Sequence, residues 1–201
     1  MAEIYNQILK SKFSRPILYD VFYKKNSIKK PLVIFCHGYK GFKDWGAWEL
    51  VAKEFSKNNC FFVKFNFSHN GGTMENPIDF PDLEAFGNNN FSHELSDIDR
   101  VLNHIKKSEE FESDIDLKNI SLIGHSRGAG SVLIKASEDL MISKIISWAG
   151  VSDFKVRFNE GSKEFDNWKK NGIMYVENAR TKQSMPHYFQ FYQDFKKKNV
   201  E

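Results

Sequence analysis

The sequence predicts an α/β protein built on a mostly parallel central sheet, and three observations predict it. Short, largely apolar runs recur at 32–36 (LVIFC), 61–65 (FFVKF), 120–123 (ISLI) and 145–148 (IISW), as strands covered on both faces should read. Amphipathic helical stripes lie between them. Strand and helix alternate in this way from residue 31 to 148, the pattern of βαβ units.

Taken in order, residues 4–9 and 17–23 read as two exposed strands, and 24–30 as a polar turn. The run 32–36 is the first buried strand. Trp48, Val51, Ala52 and Phe55 follow at i, i+3, i+4 and i+7, one face of a helix. After the strand 61–65 comes a polar stretch, 71–90, rich in Gly, Pro and Asn. A structureless loop of this length is unusual inside a compact domain, so 71–90 is expected to rim a site. Phe91, Leu95, Ile98, Val101, Leu102 and Ile105 form a long helical stripe; then come a strand at 120–123, a helix at 127–137 and a strand at 145–148. Past Trp148 the alternation stops. Residues 153–171 read as charged and irregular, 173–176 as a short strand, and 188–198 as a helix with Phe191 and Phe195 on one face. The expected organisation is one domain, an α/β core at 1–150 with a cap-like or inserted segment at 151–201.

Composition bounds the function. Of 201 residues, 41% are hydrophobic, 27% charged and 5 are Pro, which excludes disordered, collagen-like and low-complexity chains. Nineteen Phe give bulk for a core. No apolar run nears the ~18 residues of a membrane span, and no membrane partner is expected. The net charge is +3, from 29 basic and 26 acidic residues, and only five of the basic residues are Arg; no nucleic-acid partner is expected. Cys36 and Cys60 sit in apolar runs and read as buried reduced thiols. Residues 1–12 lack the apolar centre of a signal peptide, and the expected location is cytoplasmic.

The strongest chemical signal is Gly124-His125-Ser126-Arg127-Gly128-Ala129-Gly130, placed after a buried strand and opening a helix. G-x-S-x-G in that context is a nucleophile elbow. Ser126 must stand on a sharp turn, Gly124 and Gly128 let strand and helix approach, and the helix N-terminus offers free N–H groups to a developing anion. The plainer alternative is a strand–helix turn with an N-cap serine. A phosphate loop fits worse, because no Gly-Lys-Ser/Thr follows and Leu133 stands where a third dinucleotide-binding glycine belongs. The second signal is His37-Gly38-Tyr39-Lys40-Gly41, directly after 32–36. Acyl transfer needs two donors aimed at one oxygen. The backbone N–H of Arg127 is one candidate and that of Tyr39 the other; alone, His-Gly could be an ordinary loop. If both serve, the tips of the strands 32–36 and 120–123 must be neighbours. Ser126 would then lie at the floor of a crevice walled by 71–90 and the aromatic tail.

These two motifs, in this order, resemble the α/β-hydrolase superfamily. The stretch 38–45 (GYKGFKDW), with 65–68 (FNFS) and 70–73 (NGGT), resembles a narrower bacterial group, dienelactone-hydrolase-like or related to the prolyl oligopeptidase catalytic domain. The resemblance covers at least 15–150. It implies a serine hydrolase of ester, thioester or amide bonds, foremost a carboxylesterase on small esters, needing no metal and no cofactor, with a small-molecule ester or acyl compound as its partner.

That family completes its site with an acid and then a histidine after later strands. Between Trp148 and Glu201 no second buried strand leads to a His-bearing loop. The chain is therefore expected to lack the last strands, to be cut before its base, and to expose the strand 145–148 as an apolar edge. Ser126, Asp153 and His187 do stand in the family's chain order, although His187 lies in Met-Pro-His-Tyr. His104 reads as surface or packing; His69 and His93 border the long loop and could line its rim; His125 reads as support for the elbow, and His37 as holding its own loop. Tyr175, Tyr188, Phe189, Phe191 and Tyr192 could wall an acyl pocket or pack under a cap. Competing with an active hydrolase are a catalytically incomplete fragment or binding protein of the same fold and, more remotely, a nucleotide-binding α/β protein.

Overall fold

The apolar runs assemble side by side because neither of their faces can be left in water. In the computed structural model, which describes residues 1–198, six strands form one sheet: β1 (Ala2–Leu9), β2 (Ile17–Tyr23), β3 (Lys30–Cys36), β4 (Phe61–Phe65), β5 (Ile115–His125) and β6 (Ile142–Trp148). Their order is β1-β2-β4-β3-β5-β6. The pairs β1/β2 and β2/β4 are antiparallel; β4/β3, β3/β5 and β5/β6 are parallel.

The expectation of two exposed leading strands holds for β1 alone. All seven residues of β2 are buried, because the strand lies between β1 and β4 rather than at the rim. Its alternation sorts side chains to two faces. Ile17, Tyr19 and Val21 join Ile34, Val63 and Leu122 beneath helix α3 (Phe91–Lys106), with Ile98, Val101 and Leu102 packed onto them. Phe22 joins Val33, Phe35, Phe62 and Ile123 on the opposite face, under Ala52 of helix α1 (Trp48–Lys57). Helix α4 (Arg127–Glu138) follows β5 and places Val132 against the α3 face. Strand β6 lies at the sheet edge with Leu140, Met141 and Ile145 exposed near it. No helix among the described residues is long and apolar enough to cross a membrane.

Residues 71–90 are not structureless. Asp82 caps a short helix α2 (Leu83–Asn88), its carboxylate accepting from the Ala85 N–H at 2.9 Å. Residues 153–171 are more ordered than their composition implies. A 3₁₀ turn at Lys155–Phe158 leads to helix α5 (Lys163–Asn171), which Ser162 caps and Gly172 ends at φ 73°. A hairpin follows, β7 (Ile173–Glu177) with β8 (Ser184–Tyr188), and then helix α6 (Gln190–Lys198).

Residues 79–92 form the platform on which this cap is strapped. Arg180 pairs with Asp79 at 2.7 Å, Gln183 Nε2 donates to Phe80 O at 2.9 Å, and the Tyr188 hydroxyl donates to Glu84. Asn90 Nδ2 donates to Gln190 Oε1 at 2.7 Å, and the Ser92 hydroxyl donates to Asp194 at 2.5 Å. Beneath them Phe42, Phe80, Phe86 and Met185 make a small apolar core of their own.

Candidate active site

Ser126 stands between the end of β5 and the start of α4 with φ 55° and ψ −119°. A residue with a Cβ rarely adopts that conformation, and it persists only where its surroundings impose it. Here steric and hydrogen-bonding constraints impose it. A Cβ on Gly124 would lie 2.4 Å from Gly128 O and 2.5 Å from Ala129 Cα; a Cβ on Gly128 would lie 2.4 Å from His37 O. The Ser126 N–H donates to Trp148 O at 2.9 Å, and Ser126 O accepts from the Ala129 N–H at 3.1 Å. The Ser126 side chain does not cap the helix, so it is not the N-cap serine of an ordinary turn.

The turn after β3 lies against this elbow. Cys36 pairs with Gly124 in the parallel β3/β5 register, and a Cβ on Gly38 would touch His125 O and Ser126 Cβ, each at 2.9 Å. The two strand tips are thus neighbours, as the motifs require. His37 holds the turn from below. The Phe67 N–H donates to its Nε2 at 3.2 Å, which leaves the proton on Nδ1 to be donated to Gly38 O at 2.9 Å. Burial pulls this imidazole down to about 4, so it is neutral at pH 7.

Above both turns lies a cavity of about 410 Å³. Ser126, Arg127 and Tyr39 line it from the core side, and the cap walls it with Phe154, Phe158, Phe165, Trp168, Met174, Val176 and Phe191. The expected walls are therefore corrected. No residue of 71–90 lines this cavity, because that segment supports the cap from outside. Of the tail aromatics singled out from sequence only Phe191 lines it. Tyr175 is 61% exposed on β7, Tyr188 turns to Glu84, and Phe189 and Tyr192 pack around Phe165.

His187 reaches the same cavity from β8, a strand that the apolar pattern does not predict. Its Nε2 lies 2.7 Å from the Tyr39 hydroxyl, and its carbonyl accepts from Trp168 Nε1 at 2.7 Å. Burial, helped by the charges of Arg127 and Lys40, lowers the His187 imidazole to about 4, and burial pushes the Tyr39 phenol up to about 12; both are neutral at pH 7. Asp153 is not with them. Its carboxylate accepts from the backbone N–H groups of Lys155 and Val156 at 2.8 and 3.2 Å, so Ser126, Asp153 and His187 do not form a connected triad.

The Arg127 side chain carries a role that its motif position did not reveal. Its Nη2 donates to the buried Glu94 at 2.6 Å, and its guanidinium lies over the rings of Tyr39 and Phe191, 5.4 and 5.5 Å from their centres. Glu94 is further satisfied by Asn89 and Ser131. Arg127 Nε is buried without a hydrogen-bond partner among the described residues. Glu94 lies three residues into α3, 33 residues from Arg127, and a pairing at that distance leaves no local signal.

The remaining histidines separate cleanly. His69 and His93 do not rim the cavity; their rings stack on one another at 4.0 Å, and His69 Nδ1 lies 2.8 Å from the Ser68 hydroxyl. His104 bonds the Tyr19 hydroxyl at 2.8 Å, a packing role. His125 packs against Trp48, 5.0 Å between ring centres, beneath the elbow. Cys36 and Cys60 are free thiols, but Cys60 is only half-buried. Among the described residues no three His, Cys, Asp or Glu side chains gather as a metal site would require.

Comparison with solved structures identifies the fold. The chain superimposes on Est1E from Butyrivibrio proteoclasticus, solved with ferulic acid bound, with a TM-score of 0.70 at 18% identity over 92% of this chain and 68% of that one. Alpha/beta hydrolase domain-containing protein 10 from mouse matches with a TM-score of 0.63 at 16% identity, over 96% and 69%. A dienelactone hydrolase from Anabaena variabilis ATCC 29413 matches with a TM-score of 0.56 at 15% identity, over 73% and 62%. No family model and no curated protein sequence matches the chain. The chain has the α/β-hydrolase fold.

Proposed function

We propose that this protein is a serine hydrolase of ester bonds, with Ser126 as nucleophile and the backbone N–H groups of Tyr39 and Arg127 as the oxyanion hole. The observation that carries the reading is the strained backbone of Ser126 at the floor of a cavity walled by the cap. Strain of this kind marks sites where a side chain is aimed rather than merely accommodated. In the reaction the Ser126 hydroxyl adds to the acyl carbon and passes its proton to a neutral base in the cavity, the role open to His187 once its Nε2 gives up the Tyr39 hydroxyl. The alcohol leaves with that proton, and water then releases the acyl group from Ser126. The carbonyl oxygen gains negative charge and accepts from the two N–H groups, at the positive end of α4. The aromatic walls favour an apolar acyl group of moderate size; the ferulic acid bound to Est1E makes an ester of an aryl-bearing carboxylic acid the first substrate to try. Thioesters and amides come next, because the elbow sets the attacking atom and not the leaving group. The free thiols support a reducing, cytoplasmic setting.

A binding protein of the same fold is the second reading, favoured by one observation. His187, the histidine that shares the cavity with Ser126, is engaged by Tyr39. A fluorophosphonate probe followed by peptide mass spectrometry separates the two. The hydrolase reading expects an adduct on Ser126 that is lost in Ser126→Ala. Equal labelling of the Ala variant removes Ser126 from the role. An unreactive wild type that still binds an apolar fluorophore leaves the binding protein.

A further inference from the structure

Four charged side chains behind the β3 turn take no part in the chemistry above. Lys43 and Asp44 come from the turn, Asp20 from β2 and Lys64 from β4. Asp20 and Lys64 are cross-strand partners. Together the four close an alternating ring. Lys43 Nζ lies 2.8 Å from Asp20 and 2.6 Å from Asp44; Lys64 Nζ lies 3.0 Å from Asp20 and 2.5 Å from Asp44. Lys43, Asp20 and Lys64 are at most 1% exposed, and Asp44 is 31% exposed. A fifth tie runs through the backbone: the Lys43 N–H donates to Asn66 Oδ1 at 2.6 Å.

Such a ring is not needed to make the fold stable, since apolar side chains of similar volume often replace a buried ion network without loss. What it supplies is position. An apolar contact tolerates sliding, whereas a closed ring of two cations and two anions is satisfied in one register only. Half of it belongs to the turn and half to the sheet, and the turn's half begins four residues after Tyr39. We infer that Lys43, Asp44, Asp20 and Lys64 are positioning residues that stake the β3 turn to β2 and β4, so that the Tyr39 N–H stays aimed at the oxygen beside Ser126. The inference rests on the reading of Tyr39 as an oxyanion donor.

The test is the double variant Lys43→Met/Asp44→Asn. It removes the turn's half, leaves the Asp20–Lys64 pair intact and keeps the net charge. Two readouts are taken, hydrogen exchange of the amides at 38–41, referenced to those of α3, and the rate of fluorophosphonate labelling at Ser126. The expected result is unchanged α3 exchange, turn amides exchanging about tenfold faster, and labelling about 10- to 100-fold slower. Lys43→Arg/Asp44→Glu, which keeps the charges, should recover part of the rate. Turn exchange at the wild-type level overturns the inference, and so does a labelling rate that does not fall. If wild-type Ser126 is not labelled at all, the nucleophile reading fails and exchange alone decides the positioning. Should the double variant not fold, Asp44→Asn at the exposed corner takes its place. A change of about threefold in the same directions supports the inference, and no change overturns it.

Discussion

The two turns that meet at Ser126 are fixed by different forces. The elbow after β5 is held by exclusion: backbone atoms of Cys36, His37 and Ala129 occupy the space that side chains on Gly124 and Gly128 would need. The turn after β3 is held by attraction, through a buried neutral imidazole and a ring of four charges. Exclusion leaves Ser126 one conformation. Attraction holds a longer segment in register yet responds to charge and pH. Substitutions at the elbow should therefore fail sterically and without regard to pH, whereas the β3 turn should fail electrostatically.

The largest effect is expected at the elbow. Gly128→Ala puts a methyl group 2.4 and 2.6 Å from two backbone oxygens, and neither can retreat without moving β3. Urea denaturation should show a loss of about 3 kcal/mol or more. Gly46→Ala is the control: its Cβ meets nothing within 4 Å, and only the φ of +61° resists it, at about 1 kcal/mol. Equal losses at the two positions would remove the steric account. Nearly as large is Asp20→Ala, which leaves Lys43 and Lys64 buried with Asp44 alone; about 3 kcal/mol is expected.

Acid should act on the second turn. His37, with its folded pKa of about 4 below the ordinary 6.5, binds fewer protons folded than unfolded between those values. The stability it contributes is present above pH 6.5 and lost as pH falls towards 4. At pH 5 the loss from His37 alone is about 2 kcal/mol, and His69 and His187, both also lowered to about 4, act in the same direction. Asp97 opposes them. Burial raises its carboxyl to about 6, so the folded state holds a proton there that the unfolded chain does not, and stability rises as pH falls from 6 to 4. Burial lowers His93, His104 and His125 as well, and six histidines against one carboxyl predict a net loss between pH 7 and 5, read from urea midpoints at the two values; a gain on acidification would contradict it. The smallest effect belongs to the cap. Tyr39→Phe removes the tie to His187 at a cost of about 1 kcal/mol. It should appear as faster amide exchange in β7 and β8 with little change in α3.

The elbow and the sheet were legible in the sequence because both are local. A buried strand, two glycines and a helix stripe are written within about 20 residues. The cap was less legible. Helix α5 carried its signals, Ser162 before it, Glu164 and Asp166 in its first turn, Lys169 and Lys170 in its last, and Gly172 after it; its high charge masked them. Strand β8 contains Pro186, which argues against a strand except where one edge is free, as in a two-stranded ribbon. Asp20, Lys43 with Asp44, and Lys64 stand in three separate stretches of the sequence, and no local pattern links them. They meet because β2 and β4 are neighbours, and β2 was mistaken for an exposed strand. Tyr39 and His187 lie 148 residues apart, and no spacing rule connects them.

A crystal structure of the protein reacted with an aryl phosphonate tests the central claim most directly. The account predicts phosphorus bonded to Ser126 Oγ and the aryl group among Phe158, Trp168 and Phe191. One phosphonyl oxygen should lie about 2.7–3.1 Å from both the Tyr39 and the Arg127 backbone nitrogens. An adduct on another residue would contradict it, and so would an adduct on Ser126 whose oxygen touches neither nitrogen.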